Sequence, residues 1–260
     1  MTPHRQACGR SLTTPACSVG SPYSFGQQRF RNTFSQTQIT LRKVSIVIEA
    51  SPQRTSTGLV AILRGLHPDE AEAVGACLYE AGFRSLEVPL NSPDPLKSIK
   101  ILRSTLPADV RVGAGTVLNV EQVRACKAAG AQIIVSPNTN VNVIAETVAL
   151  GMDSFPGAAT PSNAFDAIEA GARNVKIFPA EQVGLGGFKA WTAVIPLEIG
   201  LIPVGGVNEE NMGEWVDAGA TGFGIGSALY KPGRGIEDLR VRATNIVRAY
   251  NTIHETRKSA

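Results

Sequence analysis

The sequence predicts an α/β chain closed into a (β/α)8 (TIM) barrel, and three observations carry that expectation. From Thr57 onward, short apolar segments alternate with helical ones eight times over about 200 residues, the count and size of such a barrel. Many helical segments end in glycine, as in Glu80-Ala-Gly82, Ala128-Ala-Gly130, Ala149-Leu-Gly151, Glu169-Ala-Gly171 and Asp217-Ala-Gly219, where the residue just past a helix takes a left-handed conformation. The first strand runs into Arg64-Gly-Leu-His-Pro68 without a Gly-rich dinucleotide loop, which argues against an open doubly wound sheet.

In order, strands are expected at Leu59–Leu63, Ser85–Leu90, Arg111–Val117, Ile133–Pro137, Asp153–Ala158, Asn174–Ala180, Leu201–Gly206 and Gly222–Ser227. Helix starts are marked by Asn119, Thr160-Pro161 and Asn208, side chains or a first-turn proline suited to a cap. The last helix carries Leu239, Ala243, Ile246, Val247 and Tyr250 on one face, the stripe a barrel helix lays on its sheet.

With 260 residues and 43% hydrophobic content, the chain can bury a full core. No apolar run approaches the roughly 18 residues of a membrane span, so no membrane partner is expected. Residues 1–48 hold six basic residues and no Asp or Glu; taking those six from 25 leaves 19 basic against 22 acidic. The positive charge therefore belongs to the N-terminal stretch and does not imply a nucleic-acid partner. Two regions follow: an N-terminal extension over residues 1–55, and the barrel over 56–260. The extension resembles a transit peptide in its Arg and Ser content and its lack of acid. The preferred expectation is a poorly structured extension or an upstream stretch translated from a wrong start, which leaves the protein cytoplasmic with organelle import open. Four cysteines without a CxxC, and three scattered histidines, offer neither a disulfide framework nor metal-ligand spacing.

Within a strand, alternate residues face opposite sides. On Asn174-Val-Lys-Ile-Phe-Pro-Ala-Glu181 this sends Lys176 and Phe178 one way and Val175 and Ile177 the other. On the second strand Leu86, Val88 and Leu90 face outward and Glu87 inward. The first strand ends in Arg64, and the third ends near Thr116 after a slim Gly113-Ala-Gly115. Arginine, glutamate, threonine and lysine thus converge at the strand C-termini, where barrels place chemistry. A buried Glu87–Lys176 ion pair fixing strand register is the plain structural alternative, but such pairs stabilise poorly compared with apolar packing. The seventh and eighth strands end in Val204-Gly-Gly-Val207 and Gly224-Ile-Gly-Ser-Ala228, a cradle of bare N–H groups suited to phosphate.

A desolvated lysine beside a carboxylate points to Schiff-base chemistry. An apolar wall including Ile177 and Phe178 is expected to lower the proton affinity of Lys176 so that it attacks a ketone. Glu87 would move protons, and Thr116 would orient a substrate carboxylate or a water.

Val60-Ala-Ile-Leu-Arg-Gly65, Leu86-Glu-Val-Pro-Leu-Asn-Ser92, Gly113-Ala-Gly-Thr-Val117, Ile134-Val-Ser-Pro137, Val175-Lys-Ile-Phe-Pro179 and Val204-Gly-Gly-Val207 resemble the class I 2-keto-3-deoxy-6-phosphogluconate/galactonate aldolases over about residues 58–250. The resemblance implies that Lys176 forms the Schiff base with pyruvate and that Glu87 is the acid/base. It further implies that Arg64, Thr116 and Pro137 contact the keto acid, with Gly205, Gly206 and Ser227 on phosphate. It implies a small phosphorylated keto-acid substrate, a homotrimer and no cofactor. Asn91 and Val204 stand where the gluconate branch has arginine and threonine, so the galactonate branch is expected, with the gluconate epimer as the alternative. A phosphosugar epimerase or isomerase would use a second acid; Asp153, the only other strand acid nearby, falls at the wrong end. A non-catalytic regulatory barrel would lack Lys176 or Glu87, and both are present.

Overall fold

The computed structural model describes residues 57–258; the extension expected over 1–55 lies outside them. The described chain runs β1 (Gly58–Ile62), α1 (Pro68–Ala81), β2 (Ser85–Pro89), α2 (Pro95–Thr105), β3 (Arg111–Gly115), α3 (Val120–Ala128), β4 (Ile133–Val135) and α4 (Val141–Ala149). It continues through β5 (Asp153–Phe155), β6 (Gly157–Ala158), α5 (Pro161–Glu169), β7 (Asn174–Ile177), α6 (Ala180–Thr192), β8 (Gly200–Pro203), α7 (Met212–Asp217), β9 (Gly222–Ile225) and α8 (Ile236–Lys258).

All paired strands are parallel. They form one sheet ordered β5-β4-β3-β2-β1-β9 and a second ordered β6-β7-β8. The expected fifth strand, Asp153–Ala158, is broken at Pro156 into β5 and β6, because proline has no N–H for the ladder. The Pro156 carbonyl still accepts from Lys176 N at 2.9 Å, which ties the break to β7. Between β8 and β9, Thr221 N donates to Leu201 O at 3.0 Å and Val204 bridges to Gly224. The result is a curled parallel sheet under a layer of helices.

Alternation along the strands separates two apolar layers. Leu86, Val88, Val175, Ile177, Leu201 and Phe223 join the core under the helices, whereas Val60, Ile62, Ile133, Val135, Phe155, Ile202 and Val204 form a second cluster with Phe178 packed on it. Ile177 therefore faces the helices. It is not part of the wall around Lys176, a correction that follows from the period-two rule itself.

The cap signals are met with one exception. Asn119 Oδ1 accepts from Gln122 N at 2.9 Å, and Thr160 Oγ1 from Asn163 N at 3.2 Å. Asn208 instead shapes a turn, its Oδ1 accepting from Glu210 N and Asn211 N at 2.9 and 3.1 Å, and α7 begins only at Met212. The five expected helix-ending glycines all have positive φ, as Gly82 does at 112°. On α8, Leu239, Ala243 and Ile246 are buried and Val247 and Tyr250 pack beside them.

β3 reaches its neighbours only because two of its residues lack side chains. A Cβ on Gly113 would lie 1.9 Å from the Ile133 carbonyl oxygen, a backbone atom that cannot rotate away. Gly113→Ala is expected to lower stability by about 3 kcal/mol, read as a fall in the urea midpoint; an unchanged midpoint would show that β4 shifts freely.

Candidate active site

Lys176 sits in the middle of β7, its Cα paired with Gly157 on β6 and Ile202 on β8. It is 7% exposed. Beneath it lie Val60, Ile62, Val135, Phe155, Ile202 and Val204, around a void of only about 10 Å³, too small to solvate an ammonium. Its Nζ stands 4.5 Å from the centroid of the Phe178 ring. Burial lowers the proton affinity of Lys176; the Glu87 carboxylate opposes that shift and Arg64 adds to it. The ring face favours the charged amine by about 0.5–2 kcal/mol, in the same sense as the Glu87 carboxylate.

Glu87 on β2 is 2% exposed, and its Oε2 has no hydrogen-bond partner among the described residues. Gly115 on β3 makes room for it: a Cβ there would lie 2.0 Å from Oε2. Burial raises the Glu87 carboxyl to about 7, with Lys176 and then Arg64 pulling it back down. No ion pair joins Glu87 to Lys176 among those of the described residues. Both groups are therefore held out of water without the close contact that would lock their charges.

Arg64 follows β1 at the mouth of the site, where its guanidinium donates to Asn91 Oδ1 at 2.5 Å. Asn91 thus aims Arg64. Thr116 directly follows Gly115 and has φ +58°, an uncommon conformation for a β-branched residue. Pro137, half-buried at the end of β4, presses its carbonyl toward Gly157, where a Cβ would lie 2.3 Å from that oxygen.

A cleft of about 710 Å³ opens above Lys176, within the range of small-ligand sites. Arg64, Lys176, Phe178, Gly205, Gly206 and Ser227, all expected from sequence, line it. Glu87 lies within electrostatic reach of Lys176 but does not line the cleft, and neither do Thr116, Pro137 and Asn91. The structure adds Asn208, Tyr230, Lys231, Arg234 and Arg242 to the lining. The signal for some of these was the basic run Tyr230-Lys-Pro-Gly-Arg234 directly after the last strand. Asp153 is bound by Arg111 at 3.0 Å, and another nitrogen of that guanidinium holds Ser85 Oγ. It serves the strand starts, away from the cleft. Among the described residues no group of three or more His, Cys, Asp or Glu could hold a metal ion, and no helix is long and apolar enough to cross a membrane.

The family model described as "Aldolase: KDPG and KHG aldolase" matches residues 52–239. The chain belongs to the KDPG and KHG aldolase family. Within that aldolase family it is 45% identical to the 2-dehydro-3-deoxy-6-phosphogalactonate aldolase of Escherichia coli, over 76% of this chain and 96% of that protein. It is 44% identical to a probable 2-dehydro-3-deoxy-6-phosphogalactonate aldolase of Rhizobium meliloti, over 75% of this chain and 92% of that one. A solved structure described as native KDPGal superposes with TM-score 0.76 at 43% identity, covering 79% of this chain and all of that one.

The raised proton affinity of Glu87 has a stability cost with a definite sign. The folded state holds this proton more tightly than an unfolded carboxyl does, so stability falls as pH rises from about 4.5 to about 7. Glu87→Gln is therefore expected to stabilise the protein on the order of 2–3 kcal/mol at about pH 8 and little at about pH 5. Thermal melts at the two pH values test this; equal shifts would mean that Glu87 is not desolvated.

Proposed function

We propose that the chain is a class I aldolase that cleaves 2-dehydro-3-deoxy-6-phosphogalactonate to pyruvate and D-glyceraldehyde 3-phosphate. The observation that carries this reading is the pairing of a buried amine of lowered proton affinity with a buried carboxyl poised near neutrality and not ion-paired to it. Family membership and the two galactonate-aldolase relatives at 44–45% identity support it.

Neutral Lys176 attacks the C2 ketone, and loss of water gives an iminium. Arg64, aimed by Asn91, pairs with the substrate carboxylate, and Thr116 and Pro137 border it. The Glu87 carboxylate takes the C4 hydroxyl proton; the C3–C4 electrons flow to the iminium nitrogen and D-glyceraldehyde 3-phosphate departs. Protonated Glu87 then returns the proton to the enamine carbon, and water releases pyruvate and the free amine. A carboxyl near 7 serves both transfers, since neither protonation state is scarce. The amides around Gly205, Gly206 and Ser227 hold the phosphate at the far end of the cleft. Phe178 closes the apolar side. Asn91 and Val204 favour the galactonate epimer over the gluconate one.

We further read the two sheets as one closed (β/α)8 barrel, supported by the tie at Pro156 and the Val204–Gly224 bridge. A cytoplasmic homotrimer fits the free thiols of Cys77 and Cys126 and the exposed apolar Leu118, Val141 and Phe165.

Borohydride reduction with pyruvate bound, followed by peptide mapping, is expected to place the adduct on Lys176. An adduct on Lys97, Lys127 or Lys189 would overturn the assignment. Lys176→Met is expected to abolish trapping, whereas Glu87→Gln should still trap but turn over about 10²–10⁴ times more slowly. Full turnover by Glu87→Gln would remove the acid/base role. In the wild type, kcat/KM for cleavage is expected to fall as pH drops below about 7, where Glu87 gains its proton.

A further inference from the structure

The phosphate end of the cleft has a support drawn from outside the strand motifs. After β9 the chain makes one turn, Leu229 N and Tyr230 N both donating to Gly226 O at 2.9 and 3.0 Å. This leaves the amides of Ser227 and Ala228 at the open start of the turn, where backbone donors suit an anion. Two guanidinium groups hold the far end of the same turn. Arg234 Nη1 donates to Leu229 O and, in a longer contact of 3.4 Å, to Ala228 O. Arg242 Nη1 reaches the same Ala228 carbonyl at 3.4 Å.

One carboxylate joins them. Asp238 Oδ2 lies 3.0 Å from Arg234 Nε and 3.0 Å from Arg242 Nε, and its Oδ1 lies 3.1 Å from Arg242 Nε. The three residues are four apart, so those on α8 share one face. The Arg234 side chain is only 11% exposed; a guanidinium so far withdrawn from water depends on its partner for placement. Asp238 is half-exposed, and ion pairs so exposed add little to global stability. Its effect is therefore local.

We propose that Asp238 is a positioning residue for phosphate recognition. By bridging Arg234 and Arg242 it sets their Nη1 donors on the Ala228 and Leu229 carbonyls, which fixes the Ser227 and Ala228 amides toward the anion. The proposal rests on the reading that this end of the cleft takes the substrate phosphate. Simple electrostatics makes the opposite prediction, because removing a negative charge beside an anion site should tighten binding.

The test uses the full chain with Asp238→Ala and Arg242→Lys, inorganic phosphate as a calorimetric probe, and two substrates, the 6-phosphorylated keto acid and its unphosphorylated counterpart. For Asp238→Ala, the phosphate Kd and the KM for the phosphorylated substrate are expected to rise roughly three- to tenfold, the effect of misplacing about one hydrogen bond. The unphosphorylated substrate should change less than about twofold. Arg242→Lys keeps the charge but not the fork that bridges Asp238 and Ala228, and is expected to lose phosphate affinity similarly. Unchanged or tighter phosphate binding by Asp238→Ala overturns the proposal. So does full retention by Arg242→Lys, or an equal loss on both substrates. A wild-type protein that binds no phosphate overturns it as well. A wild-type protein that binds phosphate and weakens on Asp238→Ala, yet cleaves neither keto acid, supports this inference and instead removes the proposed reaction.

Discussion

The site depends on two ionisable groups being kept from water in one apolar interior without being allowed to neutralise each other. Lys176 and Glu87 stand on different strands, β7 and β2, and Lys176 lies over a floor of valine, isoleucine and phenylalanine. Had they met as a hydrogen-bonded ion pair, each would have stabilised the charge of the other, and the amine would have remained a cation. Kept apart, the amine is pushed toward its neutral form and the acid toward its protonated one. Burial thus supplies reactivity at the expense of stability, the usual exchange at a site that must work rather than merely persist.

Much of this was legible in the chain because a strand has a period of two. Once Val175 and Leu86 are given to the helix-facing core, Lys176 and Glu87 have only one direction left. The same rule puts Ile177 under the helices, and the expectation that it walls Lys176 failed because chemical character was allowed to override register. The break at Pro156 could have been foreseen from its missing N–H, yet the apolar run around it reads as one continuous strand. Both errors concern local geometry, and neither moves a residue between the two ends of the sheet.

The basic residues lining the cleft were harder to see. Lys231, Arg234 and Arg242 lie in a loop and on the first turns of α8, where polar residues are ordinary and carry no periodic signature. Only the fold brings them over the glycine-rich strand ends. Asn91 stands out in the sequence only by its place in a motif, and its contact with Arg64 supplies a physical task for it. Thr116 makes no such side-chain hydrogen bond among the described residues; its left-handed backbone directly follows the end of β3.

The bare position at Gly115 has a consequence for anyone wishing to retune this catalyst. Any side chain there would displace the carboxyl from its dry recess, and a polar one would in addition offer it a donor and return its acidity toward that of a free carboxylic acid. The knob that sets the proton affinity of the acid is therefore the missing methyl group on the adjoining strand, and a redesign aimed at a new working pH should begin with the neighbour and leave the acid in place.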